Sequence, residues 1–202
     1  MIINNSWAFV HIPRTGGKTL KSQYVAQGGS EQEVKTYLQM VYNKEISEKV
    51  LDFDSQGGII ETIFTEHAKL ALWEQCLTNQ SVFTIVRNPY DRIVSLWRRF
   101  KDLYAADYPH LDEFSLFLTF NLGTWSINTT QKEFIKSASN RSITIYKFET
   151  DLEAAYTDHG LTFANAVNAS VNVDDPLQDL DNLALVNTIF DEDFTEFGYE
   201  KR

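Results

Sequence analysis

Apolar residues in this chain come in short runs separated by polar turns. Trp7–Ile12 and Ser81–Val86 are too short for buried helices and read as buried strands; Gly58–Thr65 and Ile143–Phe148 read as two more. Helical spacing appears over Lys18–Ala26, Glu33–Tyr42, Ala68–Leu77, Leu111–Phe120, Thr130–Ser137, Glu149–Asp158 and Asn182–Phe194. The strongest helix begins after Arg87. Asn88 suits the N-cap, Pro89 the first helical position and Asp91 the place of a capping-box acid. Ile93, Leu96, Trp97, Phe100 and Leu103 then form an apolar stripe. Strands alternating with helices predict an α/β fold, a three-layer sandwich around a mainly parallel sheet, with ligands bound at the carboxyl ends of the strands.

With 202 residues and 43% hydrophobic content the chain can bury a substantial core. No repeat or Pro/Gly-rich linker marks a boundary, so one domain over residues 1–202 is expected. Cys76 is the only cysteine, which excludes an internal disulfide and a cysteine-based zinc site. The first residues lack a basic region followed by a long apolar stretch. No signal peptide or transmembrane segment is therefore expected, and a cytoplasmic protein is the default.

A net charge of −10 argues against a general nucleic-acid binder. The distribution of charge is more telling. From Phe148 to Glu200 there is no lysine or arginine, whereas Arg87, Arg92, Arg98, Arg99 and Lys101 crowd one short segment. Such a segment is either a solvated helix face or a site for a specific anion.

Two stretches carry anion chemistry. In His11-Ile12-Pro13-Arg14-Thr15-Gly16-Gly17-Lys18-Thr19 a strand runs through a glycine turn into a helix start, a P-loop-like arrangement. Gly16 and Gly17 let backbone N–H groups approach a phosphate, and the helix dipole favours negative charge there. Arg14 and Lys18 add cations, Thr15 and Thr19 hydroxyls. The triphosphate-binding pattern G-x-x-x-x-G-K-[ST] is not met, because position 12 is Ile12. In the second stretch, Arg87 ends a strand just before a helix N-terminus. Arg92, Ser95 and Arg99 follow at helical spacing, expected opposite the apolar stripe. Pairing of Arg87 with Asp91 or a nearby carboxylate, with Ser95 merely tolerated in the helix, is the structural alternative. Two such sites at neighbouring strand ends would suit a nucleotide phosphorylated at both its 5′ and 3′ positions.

These paired motifs resemble those of the carbohydrate sulfotransferase superfamily, with its H-I-P-K-T-G-G-T-S-L type loop and R-N-P-Y-D-R-x-x-S segment. Glu66-His67 before an apolar stretch, Lys147-Phe148-Glu149-Thr150-Asp151-Leu152 and Asp193-Phe194-Thr195-Glu196-Phe197-Gly198-Tyr199 are similar to further family segments. The resemblance implies a donor, 3′-phosphoadenosine-5′-phosphosulfate (PAPS), and a product, 3′-phosphoadenosine-5′-phosphate (PAP). It implies that Arg14 through Thr19 hold the 5′-phosphosulfate and that Arg87 and Ser95 hold the 3′-phosphate; Arg92, on the same segment, is a further cofactor-binding candidate. The acceptor it implies is a hydroxyl, on a saccharide. The loop cation, commonly lysine, is Arg14, as in tyrosylprotein sulfotransferases, and Lys18 replaces a small hydroxyl residue. Both are thus candidates for the bridging oxygen.

Sulfuryl transfer, like phosphoryl transfer, rests on positioning and charge stabilisation. The phosphosulfate carries less charge than a triphosphate, so no metal is required in principle. The acceptor needs a general base, and His67 is the first candidate, with Glu66 and Glu61 in reserve. His11 is expected to face the strand's packing surface, while His110 and His159 read as solvated loop residues. The competing readings are a nucleoside-triphosphate-dependent kinase and a non-catalytic nucleotide-binding module.

Overall fold

The computed structural model describes residues 2–29, 67, 69–104, 108–119, 121–122, 125–126, 128–163 and 175–202. Strands β1 (Ile2–Ile3) and β2 (Trp7–Val10) lead into helix α1 (Gly17–Ala26). After β3 (Ser81–Val86) come α2 (Pro89–Tyr104), α3 (Phe114–Thr119), the small strands β4 (Asn121–Leu122) and β5 (Trp125–Ser126), and α4 (Gln131–Ile135). Strand β6 (Ile143–Lys147), α5 (Leu152–Thr157), α6 (Leu180–Ile189) and α7 (Asp191–Phe197) complete the order. The expected strand 58–65 and helix 33–42, like Glu61 and Glu66, lie outside the described residues. The chain forms two compact units, one from Met1–Val86 and Phe134–Ala166, the other from Arg87–Glu133 and Val167–Arg202.

The first unit is α/β. Its sheet runs β1-β2-β3-β6, with β1 antiparallel and the other pairs parallel. Trp7 lies opposite Ser81, and Val86 opposite Lys147. Every residue of β2 is buried, and all but the first of β3, which is why both read as continuous apolar runs rather than alternating ones. Trp7, Phe9, Leu20, Phe83, Ile85, Tyr146 and Tyr156 form the core. Thr84, buried within β3, satisfies its hydroxyl on the carbonyl of Val10 at 2.9 Å.

His159 corrects the sequence reading. It is not a solvated loop residue but lies stacked on Phe83, with ring centroids 3.6 Å apart. The turn after α5 folds back there: Leu161 N–H bonds the Tyr156 carbonyl, and Trp7 Nε1–H donates to the His159 carbonyl. Burial lowers the pKa of the His159 imidazole, only partly offset by its bond to the Ala155 carbonyl and by Asp158.

The helix expected over 68–77 is likewise corrected to two single 3₁₀ turns, Leu70–Leu72 and Glu74–Cys76, joined at Trp73 with φ −134°. The reason is long-range. The Glu74 carboxylate accepts from Ser137 Oγ and from the backbone N–H groups of Ala138 and Ser139, which ties this stretch to a distant loop.

In the second unit α2 starts as expected, with Asn88 Oδ1 accepting the Tyr90 N–H at 3.0 Å. Ile93, Leu96, Trp97 and Phe100 are buried, and Trp97 meets the ring of Phe114 edge-on at 5.3 Å. The helix expected over 111–120 is shortened to α3, behind a 3₁₀ turn at Pro109–Asp112. The single helix expected over 182–194 is two helices. Asp179 caps α6 by accepting from Asp181 and Asn182 N–H, and the chain breaks at buried Phe190 before α7. No helix among the described residues is long and apolar enough to cross a membrane.

Candidate functional site

The loop from His11 to Gly16 leaves the carboxyl end of β2 and turns into α1. Arg14 takes φ +68° and Gly16 φ +88°, two left-handed residues that reverse the chain tightly. For a non-glycine residue such a φ costs about 1–2 kcal/mol and persists only where the surroundings impose it. Thr15 supplies part of that constraint. Fully buried, its Oγ1–H donates to the Ile12 carbonyl at 3.0 Å, so its hydroxyl hydrogen shapes the loop. Arg14 and Lys18 are exposed and Thr19 is half-buried. The Gly16 carbonyl accepts from Thr19 and Leu20 N–H, which starts α1.

Both glycines are close approaches. A Cβ on Gly16 would lie 3.0 Å from the ring of Phe148, at the end of β6, besides straining the backbone. A Cβ on Gly17 would lie 2.0 Å from His11 Cδ2. The His11 ring is buried and cannot retreat freely, so Gly17→Ala should lower stability by about 1–3 kcal/mol. A urea titration of the variant checks this, and an unchanged midpoint would mean that His11 swings away without cost.

His11 and His67 form one cluster. Their ring centroids are 4.2 Å apart, and His11 also stacks on Phe9. Burial, with the neighbouring His67 second, holds the His11 imidazole well below its ordinary pKa, so it stays neutral near pH 7. His67 Nδ1 lies 2.9 Å from the His11 carbonyl oxygen. A carbonyl can only accept, so Nδ1 carries the hydrogen and Nε2 is the basic nitrogen. The Lys147–Leu152 segment is also ordered by its own side chains: Asp151 Oδ2 accepts the Lys147 N–H at 2.9 Å, the first cause of a lowered Asp151 pKa.

The second stretch departs from the expected amphipathic face. Arg92 is 1% exposed and Ser95 is buried, whereas Arg99 is exposed, so the three do not share one open surface. Arg92 Nη2 donates to the Thr129 carbonyl at 3.1 Å, and the guanidinium lies over the Phe190 ring. Burial pulls its pKa down to about 10, opposed by Asp193, so it remains charged near neutrality. Arg87 is half-buried, and its backbone is gripped by the side chain of Gln131. Gln131 and Asp193 are the residues that sequence reasoning missed as part of this segment. A lone glutamine gives no signal, although Asp193 stood within the family-like ending.

A family model described as the sulfotransferase family matches residues 4–168. The chain belongs to the sulfotransferase family. The chemistry of that class is sulfuryl transfer to a hydroxyl-bearing acceptor, and the match takes in both anion-type stretches and His67. The ending at Asp193–Tyr199 lies beyond the matched residues. No curated protein and no solved structure matches the chain.

Proposed function

We propose that this chain is a PAPS-dependent sulfotransferase that sulfates a hydroxyl of a saccharide, working as one cytoplasmic domain over residues 1–202 with a P-loop-like cradle in a three-layer sandwich. The observation that carries the reading is the bond from His67 to the His11 carbonyl. It ties the His67 imidazole, through Nδ1–H, to the same glycine loop that the family motif associates with the phosphosulfate.

In this reading Gly16, Gly17 and the start of α1 offer N–H groups to the 5′-phosphosulfate, helped by Thr15 N–H and Thr19. Arg87 and Ser95 take the 3′-phosphate, and Arg92 braces their helix. The acceptor oxygen bonds sulfur as its proton passes to His67 Nε2. The bond from sulfur to the bridging oxygen breaks on the opposite side. Arg14 and Lys18 stabilise the charge left on that oxygen, and PAP departs. The charge involved is small enough that no metal is called for. The preference for a saccharide rests on the likeness of the two motifs to carbohydrate sulfotransferases.

Calorimetric titration tests the donor. PAP should bind more tightly than ATP with Mg²⁺. The reverse order would favour the kinase reading, which already lacks its glycine at position 12.

A further inference from the structure

The Gln131 side chain behaves as a short piece of neighbouring strand. Its Oε1 accepts the Arg87 N–H at 2.8 Å and its Nε2–H donates to the Arg87 carbonyl at 2.7 Å. Both polar groups of one peptide position are thus held by one fully buried amide. Gln131 is itself anchored. Its N–H and that of Lys132 donate to the two carboxylate oxygens of Asp193, at 2.8 and 2.9 Å. Asp193 is fully buried; burial raises its pKa, and the charge of Arg92 opposes that rise. Arg92 returns the chain of contacts to α2, because its Nη2 bonds the Thr129 carbonyl just ahead of Gln131. The circuit begins at Arg87 and closes five residues further along the same segment.

Such a circuit is expensive to bury, since each amide and charge must be matched inside a low-dielectric interior. Apolar residues of similar volume often hold a helix as firmly as a buried polar network does. What the amide adds is a fixed backbone at Arg87, the residue where β3 has ended and α2 has not begun.

We infer that Gln131, backed by Asp193, is a positioning residue for Arg87, setting the backbone from which that arginine meets the donor's 3′-phosphate. The inference rests on the donor reading above. Leucine matches glutamine in size but offers neither bond. Glutamate could not donate to the Arg87 carbonyl and would set a second carboxylate beside Asp193.

The test compares PAP with AMP, which lacks the 3′-phosphate, by calorimetry on the native chain, Gln131→Leu and Arg87→Ala, with a urea midpoint recorded for each. Gln131→Leu should weaken PAP about ten-fold and leave AMP nearly unchanged, so that the PAP-to-AMP preference shrinks. A merely structural glutamine would lower both affinities together, or only the midpoint, and either result overturns the inference. If Arg87→Ala abolishes the preference while Gln131→Leu keeps it, the donor reading stands and the positioning role falls. If Arg87→Ala itself leaves the preference intact, both fall. Should Gln131→Leu fail to fold, Gln131→Asn, which keeps an amide one methylene short of Arg87, is read in the same way.

Discussion

His67→Ala is expected to lower turnover about 10²–10⁴-fold, the usual worth of a positioned general base, while PAP affinity hardly changes. The two halves of this expectation have different origins. The base touches the acceptor, so its loss falls on the transfer step. In the proposed reading the donor is held by the loop and by Arg87, whose contacts His67 does not replace. With Nδ1–H bound to the His11 carbonyl, Nε2 must be unprotonated to receive the acceptor's proton. Activity of the native chain should therefore fall in acid, where Nε2 is protonated, and that dependence should be absent from the variant. Steady-state kinetics with a hydroxyl acceptor that the native chain sulfates decides it. Near-normal turnover would pass the role to Glu66 or Glu61. Tight PAP binding with no transfer to any hydroxyl acceptor, in the native chain as in the variant, would favour a binding module.

Arg87→Ala should weaken PAP by about 2–4 kcal/mol, as expected for loss of charge-assisted bonds to a phosphate dianion. Ser95→Ala should cost about 1 kcal/mol, because a neutral hydroxyl contributes one ordinary bond. AMP affinity should be nearly unmoved in both, which separates loss of a phosphate contact from general damage to the fold. The Gln131 clamp acts on the Arg87 backbone and survives truncation of the side chain, so Arg87→Ala should keep its urea midpoint near the native one. An Arg87→Ala chain that binds PAP normally would place the 3′-phosphate elsewhere.

The parts of the fold legible in sequence were those with a local cause. β2, β3 and β6 announce themselves by apolar runs, and α2 by Asn88, Pro89 and its stripe. The misread parts were decided at a distance. Glu74 gives up a helix to receive donors from the 137–139 loop, and Phe190 splits one helix into two, after which Asp193 can cap α4. His159 lay in a polar turn whose fold-back onto Phe83 no spacing rule reveals. The site divides in the same way. The glycines and cations proposed for it stand in contiguous motifs, where a resemblance is legible. The burial of Arg92 and the grip of Gln131 depend on residues far away in sequence.

The imidazole of His67 is held at Nδ1 by a main-chain oxygen, that of His11. No single substitution can delete that acceptor, and it has no proton of its own to gain or lose across the working pH range. The hold on His67 Nδ1–H is therefore robust to substitution of side chains around it. It is sensitive instead to the path of the loop backbone, so on the proposed reading a rearrangement of His11–Gly16 on donor binding would carry the His67 ring along with it. On the proposed reading, recognition of the nucleotide and readiness to accept a proton would be two outputs of the same turn of chain.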